Sequence, residues 1–250
     1  MKPTFYSLKL PTAPKKLRIA IAADLHNNPF DNVIAAIREQ APDIILIPGD
    51  LMDDFELRNP ACRGYEFLKL CVEIAPTYYS VGNHEIGCYH RGNPWRKPIP
   101  NPLDAESVNR IRATGAIFLD NDAVTENGIT ICGLTSGINR GDNFPDTAVL
   151  ERFAAMDGFR ILLCHHPEYY HPYIQKTNLD LIVSGHAHGG HWRIFGRGIY
   201  SPGQGLFPRY TAGILDGRCV ISRGLGNHTK IPRIFNPKEL IILSIEPSNI

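Results

Sequence analysis

"LIVSGHAHGGHW", residues 181–192, ends a run of Leu, Ile and Val with two histidines one residue apart among glycines. A buried strand gains nothing from that ending, whereas a metal site does if further ligands stand elsewhere in the chain. Four other apolar runs end in the same manner. "LRIAIAAD" (17–24) gives Asp24 and, two residues on, His26; "DIILIPGD" (43–50) gives Asp50. "TYYSVGNH" (77–84) gives Asn83 and His84, and "RILLCHHP" (160–167) gives His165 and His166. Near-continuous apolar runs of this length suit strands buried on both faces. Helical spacing over 31–41, 61–75 and 146–156 lies between several of them, with Asp31 or Asn32 and Asp146 as caps. This alternation predicts α/β layers around one core.

In open α/β sheets the carboxyl ends of the strands line one crevice, where ligands bind. The five runs therefore deliver carboxylates, imidazoles and an amide to one edge, and the glycines beside them permit the tight turns that ligand geometry requires. Oxygen and imidazole donors without a cysteine ligand suit a first-row ion such as Mn, Fe or Zn. Seven such donors are too many for a four-coordinate site and suit two octahedral-like ions sharing a carboxylate. A two-metal site generates hydroxide near neutral pH and clamps the attacking and leaving oxygens of an in-line displacement. Hydrolysis of a phosphate ester uses all of those features.

Bulk properties narrow the remaining classes. The chain has 250 residues, 43% hydrophobic and 20% charged, which is ordinary for a soluble globular protein. A net charge of +1 gives no support for nucleic-acid binding through bulk positive charge. The six cysteines form no CxxC pair and read as buried thiols. The N-terminus "MKPTFYSLKLPTAPKK" lacks the apolar core of a signal peptide, and no stretch approaches membrane-spanning length. The expectation is a cytoplasmic, soluble protein of one domain over residues 1–250.

Asp24-x-His26, Gly49-Asp50, Gly82-Asn83-His84-Glu85, His165 and Gly185-His186-Ala187-His188 together resemble, in order, the signature of the calcineurin-like metallophosphoesterases. The tail pieces "GHAHGGHW", "SPGQGLFPRYTAG" and "SRGLGNH" resemble the bacterial branch that includes membrane-associated phosphoesterases and a UDP-2,3-diacylglucosamine pyrophosphatase. The resemblance implies a four-layer α/β/β/α sandwich of two mixed sheets flanked by helices, with the site at the C-terminal ends of the strands. It implies two divalent ions per chain, manganese first, with zinc, iron or magnesium as alternatives. One ion is held by Asp24, His26, Asp50 and His188, the other by Asp50, Asn83, His165 and His186, so that Asp50 bridges. His165 is preferred to His166 because the branch reads His-x-Pro at this point. His84 stabilises the phosphoryl charge and protonates the leaving oxygen. Asp53, placed by the family's GDxxD pattern, orients it; Asp54 is the neighbouring alternative.

The implied activity is hydrolysis of a phosphomonoester, phosphodiester or pyrophosphate bond by a metal-bridging hydroxide. The substrate is a small molecule or a lipid-linked one, with a UDP-2,3-diacylglucosamine-type pyrophosphate as the narrower alternative, and peripheral contact with a membrane is compatible with it. A non-catalytic metal-binding scaffold is the alternative of another class, and the intact ligand set and His84 count against it. Two features depart from the branch. His191 stands where glutamine is common, and the proline-rich segment of about 86–104 is longer than usual. Both bear on specificity. His90, His171 and His228 read as surface or outer residues, "GNH" at 226–228 as a turn, and Arg91, Arg96 and Lys97 as solvated charges. After Gly189 the pieces "RGIYS", "RCVISRG" and "ELIILSIE" predict a second, more antiparallel sheet.

Overall fold

A computed structural model describes residues 1–87, 103–136, 144–201, 204–227 and 232–247. The elements run β1 (Thr4–Lys9), β2 (Leu17–Ile21), α1 (Asp31–Gln40), β3 (Ile44–Ile47), α2 (Arg63–Val72), β4 (Thr77–Ser80), α3 (Ala105–Ala113) and β5 (Ile117–Leu119). There follow β6 (Asp122–Glu126), β7 (Ile129–Leu134), α4 (Thr147–Ala154), β8 (Phe159–Cys164) and β9 (Leu181–Ser184). Two short hairpins come next, β10 (Arg193–Ile194) with β11 (Arg197–Gly198) and β12 (Tyr200–Ser201) with β13 (Gly205–Leu206). The chain closes with β14 (Gly213–Leu215), β15 (Cys219–Ile221) and β16 (Ile241–Glu246).

Two mixed sheets carry the fold, in the orders β1-β16-β2-β3-β4-β5 and β14-β15-β9-β8-β7-β6. The strands β2 to β5 run parallel, as do β7, β8, β9 and β15. Every residue of β3, β4 and β9 is buried, which is what continuous apolar runs require. One face of the first sheet packs on α1, α2 and α3 through Ile37, Phe67, Leu68 and Ile111. Its other face meets the second sheet through Ile21, Leu46, Ile161, Val183 and Leu243. The far face of the second sheet packs on α4 and the 167–174 turns through Phe153, Tyr170 and Ile174. The layers are therefore α/β/β/α.

The five ligand-bearing runs end on two facing sheets rather than at a single sheet edge: β2, β3 and β4 in the first, β8 and β9 in the second. The tail departs from expectation. "RCVISRG" supplies β15, which pairs in parallel with β9, and "ELIILSIE" supplies β16, which lies in the first sheet between β1 and β2. Their apolar residues complete the two existing sheets, and only "RGIYS", which supplies β11 and β12, enters separate antiparallel pairs, the two short hairpins. Helix boundaries shift by one to three residues. The N-cap position of α1 is Phe30, without a side-chain capping bond, and Asp31 falls inside the first turn. Asp146 does cap α4, accepting from the Val149 N–H at 3.1 Å.

Cys62, Cys71, Cys132, Cys164 and Cys219 are free and buried. Cys88, His90, Arg91, Arg96, Lys97, His228 and most of the proline-rich segment lie outside the described residues. Among the described residues no helix is long and apolar enough to cross a membrane.

Candidate metal centre

The turns that leave three of the five strands, β2, β3 and β9, are unusual in their backbone. Asp24, His26, Asp50, His186 and His188 all have positive φ, between 46° and 65°. Non-glycine residues rarely adopt this region, and clusters of such residues mark sites where the surroundings impose a conformation. Here the imposed contacts are visible. The Asp24 N–H donates to the Gly49 carbonyl at 3.2 Å and the His26 N–H to the Asp50 carbonyl at 3.1 Å, so the loops after β2 and β3 run side by side. Across the two sheets, Asp24 Oδ1 accepts from the His186 N–H at 2.8 Å, and within the first sheet Asp50 Oδ1 accepts from the His84 N–H at 2.9 Å.

These contacts leave one carboxylate oxygen of each aspartate facing the space between the sheets. Asp24 is fully buried, and its Oδ2 has no hydrogen-bond partner among the described residues. Asp50 Oδ2 lies 3.0 Å from Nε2 of His165, 3.8 Å from Nε2 of His26 and 3.9 Å from Nε2 of His84. Asn83 Oδ1 is 3.2 Å from the same His165 nitrogen. His165 Nδ1 sits 3.0 Å from the Pro48 carbonyl, which can only accept, so Nδ1 carries the proton and Nε2 offers a lone pair. Three acceptor atoms thus face one another in a buried space, and that arrangement calls for a cation among them. Without one the imidazole takes a second proton: burial opposes it, but Asp50 outweighs burial and lifts the His165 pKa to about 9.

A second group forms beside the first. His26 Nε2 and His188 Nε2 face each other at 3.2 Å, with Asp24 Oδ1 3.8 Å from His188 Nε2. Burial and the neighbouring His26 hold the His188 pKa well below its usual value, so the ring is neutral and able to ligate. Asp24, His26 and His188 form one cluster of potential ligand atoms, and Asp50, His165 and His186 form another. The donor sets, the orphaned Asp24 oxygen and the opposed ring nitrogens all fit divalent ions. Glycines keep the cradle open: a Cβ on Gly82 would lie 2.2 Å from Asp50 Oδ1, and one on Gly185 would lie 2.6 Å from Asp24 Oδ2.

His84 is buried against this centre without joining either ligand cluster. Its Nδ1 is 2.7 Å from Asp53 Oδ1, which leaves Nε2 on the side of Asp50. The same Asp53 oxygen is 3.1 Å from His26 Nδ1. One carboxylate therefore orients both rings, which stand edge to face at 4.5 Å. Asp53 makes this contact rather than Asp54, whose Oδ1 accepts from the Phe55 N–H. His166 lies beside the centre, its ring 4.2 Å from that of His186, and His171 is exposed on the surface. His191 is buried and stacks between His188 and Tyr200, with ring centroids 6.1 and 5.9 Å apart.

Three further residues shape the site. Glu85 is fully buried and accepts from the backbone N–H groups of Asp50, Leu51, Met52 and Gly82 and from the Tyr79 hydroxyl. Its place inside "GNHE" was the available signal for it. Glu168 stands 3.0 Å from His166 Nδ1 and 3.7 Å from His186 Nε2. Burial would raise its pKa, but His186 and His166 bring it down to about 2. Arg233 Nη2 lies 3.0 Å from His188 Nδ1 and also donates to the Gly226 carbonyl. With an ion held by its Nε2, the neutral His188 ring would carry its proton on Nδ1, opposite the Arg233 guanidinium, which also has the Arg223 and Gly226 carbonyls as acceptors. No local motif marks Arg233, which reaches the site from 45 residues downstream.

Comparison with known proteins places these residues in a family. The chain is 28% identical over 260 residues to an uncharacterized metallophosphoesterase of Campylobacter jejuni, covering 96% of this chain and 62% of the relative. It is 28% identical over 251 residues to an uncharacterized metallophosphoesterase of Helicobacter pylori, covering 94% of this chain and 61% of the relative. An Escherichia coli protein named phosphodiesterase YaeI is 27% identical over 187 residues, covering 71% of this chain and 62% of that protein. The chain thus spans about three fifths of the length of these relatives. The calcineurin-like phosphoesterase model matches residues 17–190, a span that holds every candidate ligand named above, and the chain belongs to that family.

Proposed function

We propose that the chain is a phosphoesterase that works with two divalent ions, manganese first among the candidates. One ion would be held by Asp24, His26, Asp50 and His188, and the other by Asp50, Asn83, His165 and His186. The observation that carries this reading is the set of buried acceptors in which Asp50 Oδ2 and Asn83 Oδ1, from the first sheet, each lie within 3.2 Å of His165 Nε2, from the second. Two ions bound there lower the pKa of water toward neutrality and neutralise charge on a phosphoryl group.

The chain's own groups do the remaining work. Asp53 fixes the His84 ring by its Nδ1, and Nε2 is then placed on the substrate side to donate a proton to the leaving oxygen. Asp50, Asn83 and His165 hold the reaction centre away from bulk water by their burial. The substrate class is a phosphate monoester, diester or pyrophosphate, and the name of the Escherichia coli relative supports the diester. The placement of β16 between β1 and β2 in the first sheet supports a single domain over 1–250.

Elemental analysis together with hydrolysis of bis(p-nitrophenyl) phosphate and p-nitrophenyl phosphate, after loading with Mn, Zn or Mg, tests the reading. About two ions per chain and metal-dependent turnover are expected. Asp50→Asn is expected to lose both ions. His84→Ala is expected to keep them and to lose about 10²–10⁴-fold in turnover. Absence of metal under every loading, or loss of metal in His84→Ala, would overturn it. Full metal occupancy without hydrolysis of any ester would point to a binding scaffold instead.

A further inference from the structure

Eight of the eleven exposed large apolar side chains among the described residues fall between Trp192 and Phe235, immediately after the candidate metal centre. Phe195, Phe207 and Phe235 are the extreme cases, at 101%, 77% and 84% exposure. All three have positive φ, of 50°, 53° and 52°. Phe195 and Gly196 form the two-residue turn between Ile194 and Arg197, both with positive φ, a turn that favours Asn-Gly. Burial of the ring does not explain a phenylalanine there, because the ring is in solvent. Its display is the feature to be accounted for.

These side chains belong to one layer. Trp192 is bridged to Ile234, the Ile199 N–H donates to the Trp192 carbonyl at 2.9 Å, and the Phe207 N–H donates to the Ile199 carbonyl at 2.8 Å. Tyr200 pairs with Leu206 in the second hairpin. The layer is also basic. Between His188 and Lys238 the sequence has eight Lys or Arg and one acid, Asp216, in a chain whose net charge is +1. Arg193, Arg197 and Arg209 line a cavity of about 470 Å³ with Phe207 and Thr211, and no acidic residue lines it. Neither Arg197 nor Arg209 pairs with a carboxylate among the described residues.

We propose that this layer is a docking surface for an anionic lipid bilayer, with Phe195, Phe207 and Phe235 entering the interface and the arginine cavity taking a lipid phosphate. Single aromatic rings on separate turn tips, with Trp192 and Tyr200 half-exposed among them, match an interfacial layer, where amphipathic rings sit at headgroup depth. A protein partner would be met by a packed, concave cluster. Glu239 pairs with Arg223 and Asp216 lies near Arg209 and Arg218, yet the surplus of Lys and Arg over acids in this span, with Arg193, Arg197 and Arg209 around a cavity that no acid lines, matches the negative potential of anionic lipids. The His188–His191–Tyr200 stack joins the metal centre to this layer, so docking sets the site beside the headgroups. Docking stands apart from the catalytic reading, because its test reads binding alone.

The test is co-sedimentation of the full chain with vesicles of phosphatidylcholine, alone or mixed with phosphatidylglycerol, at low and high salt. A Trp95→Phe background leaves Trp192 as the only tryptophan, and its emission reports insertion. Binding is expected with phosphatidylglycerol, weakening with salt, together with a blue shift of Trp192. Phe195→Asn/Phe207→Asn/Phe235→Asn is expected to lose about tenfold or more in partitioning while the melting temperature holds, since asparagine tolerates these φ values. Arg197→Glu/Arg209→Glu is expected to lose at least as much, and only on the anionic vesicles. Absence of binding to the anionic vesicles at low salt, or binding that both variants leave unchanged, overturns the proposal. So does a wild-type dimer in solution that the asparagine variant turns into monomers, because a second copy would then cover the surface.

Discussion

Glu85 does more for the site than its distance from any candidate ion suggests. Its two oxygens collect five donors, at 2.7–3.0 Å, from the turn after β3, from the turn after β4 and from Tyr79. Burial and the adjacent Asp50 push its pKa up to about 7, and the donors act against both. Glu85→Gln replaces one acceptor oxygen by an amide that points its own N–H at backbone N–H groups. A loss of about 2–4 kcal/mol is expected, since buried donors are left unmet. For a chain of this length that is a fall of roughly 5–15 °C in melting temperature. Tyr79→Phe removes one donor and costs about 1 kcal/mol. Equal melting temperatures for Glu85→Gln and the wild type would remove Glu85 from the architecture of the site. Glu168 stands at the opposite side, hydrogen-bonded to His166 Nδ1 and 3.7 Å from His186 Nε2, where its charge favours an ion bound at His186. Glu168→Gln is expected to weaken metal binding by about 10–100-fold in a calorimetric titration while the metal-free chain melts as before. An unchanged affinity would make the contact a bystander.

At the scale of elements, the site exists because β3 and β4 end at the same level and their turns touch. A Cβ on Gly49, whose φ is +107°, would lie 2.6 Å from the Gly82 nitrogen, and a Cβ on Gly82 would lie 2.2 Å from Asp50 Oδ1. Gly82→Ala therefore drives Asp50 out of place while leaving both strands paired. The expected result is an unchanged circular dichroism spectrum and a metal stoichiometry well below that of the wild type; full occupancy would show that the two turns can separate without harm. This geometry also explains what the sequence made legible. The runs feeding β2, β3, β4, β8 and β9 stood out because parallel strands buried on both faces are apolar throughout. Each ends in a polar residue that such a strand cannot hold, so the residues of the centre could be read one at a time. The edge strand β6 is half solvated and polar, β5 has three residues, and α3 buries only Ser107 and Ile111, so none gave a clear period. Which sheet each tail strand joins depends on tertiary pairing, as does the approach of Arg233 and the contact of Glu168 with His186. Neither Arg233 nor Glu168 has a local pattern that sets it apart from a surface charge.

In the whole molecule the apolar layers and the polar centre oppose each other. Three apolar clusters hold the sandwich together on both faces of each sheet. Against them stand the buried carboxylates Asp24 and Asp50, and five left-handed non-glycine residues in the turns after β2, β3 and β9. Such backbone positions cost on the order of 1 kcal/mol each, and the unmet charge adds to that. The layers lie away from the centre and do not depend on it, so a chelated chain is expected to keep its secondary structure at 25 °C. Its stability is a different matter. An ion at a hundred times its dissociation constant stabilises a folded chain by about 2.7 kcal/mol, and two independent sites by roughly twice that. With about 2–4 °C per kcal/mol for a chain of this size, manganese-loaded protein is expected to melt roughly 10–20 °C above the chelated form. Scanning calorimetry across a manganese titration checks this. Melting temperature should climb with the logarithm of free manganese, and Asp50→Asn should flatten the climb if, as proposed, it removes a ligand common to both ions. A chelated chain that melts where the loaded one does would mean that the buried acceptors find their counter-charge in protons alone.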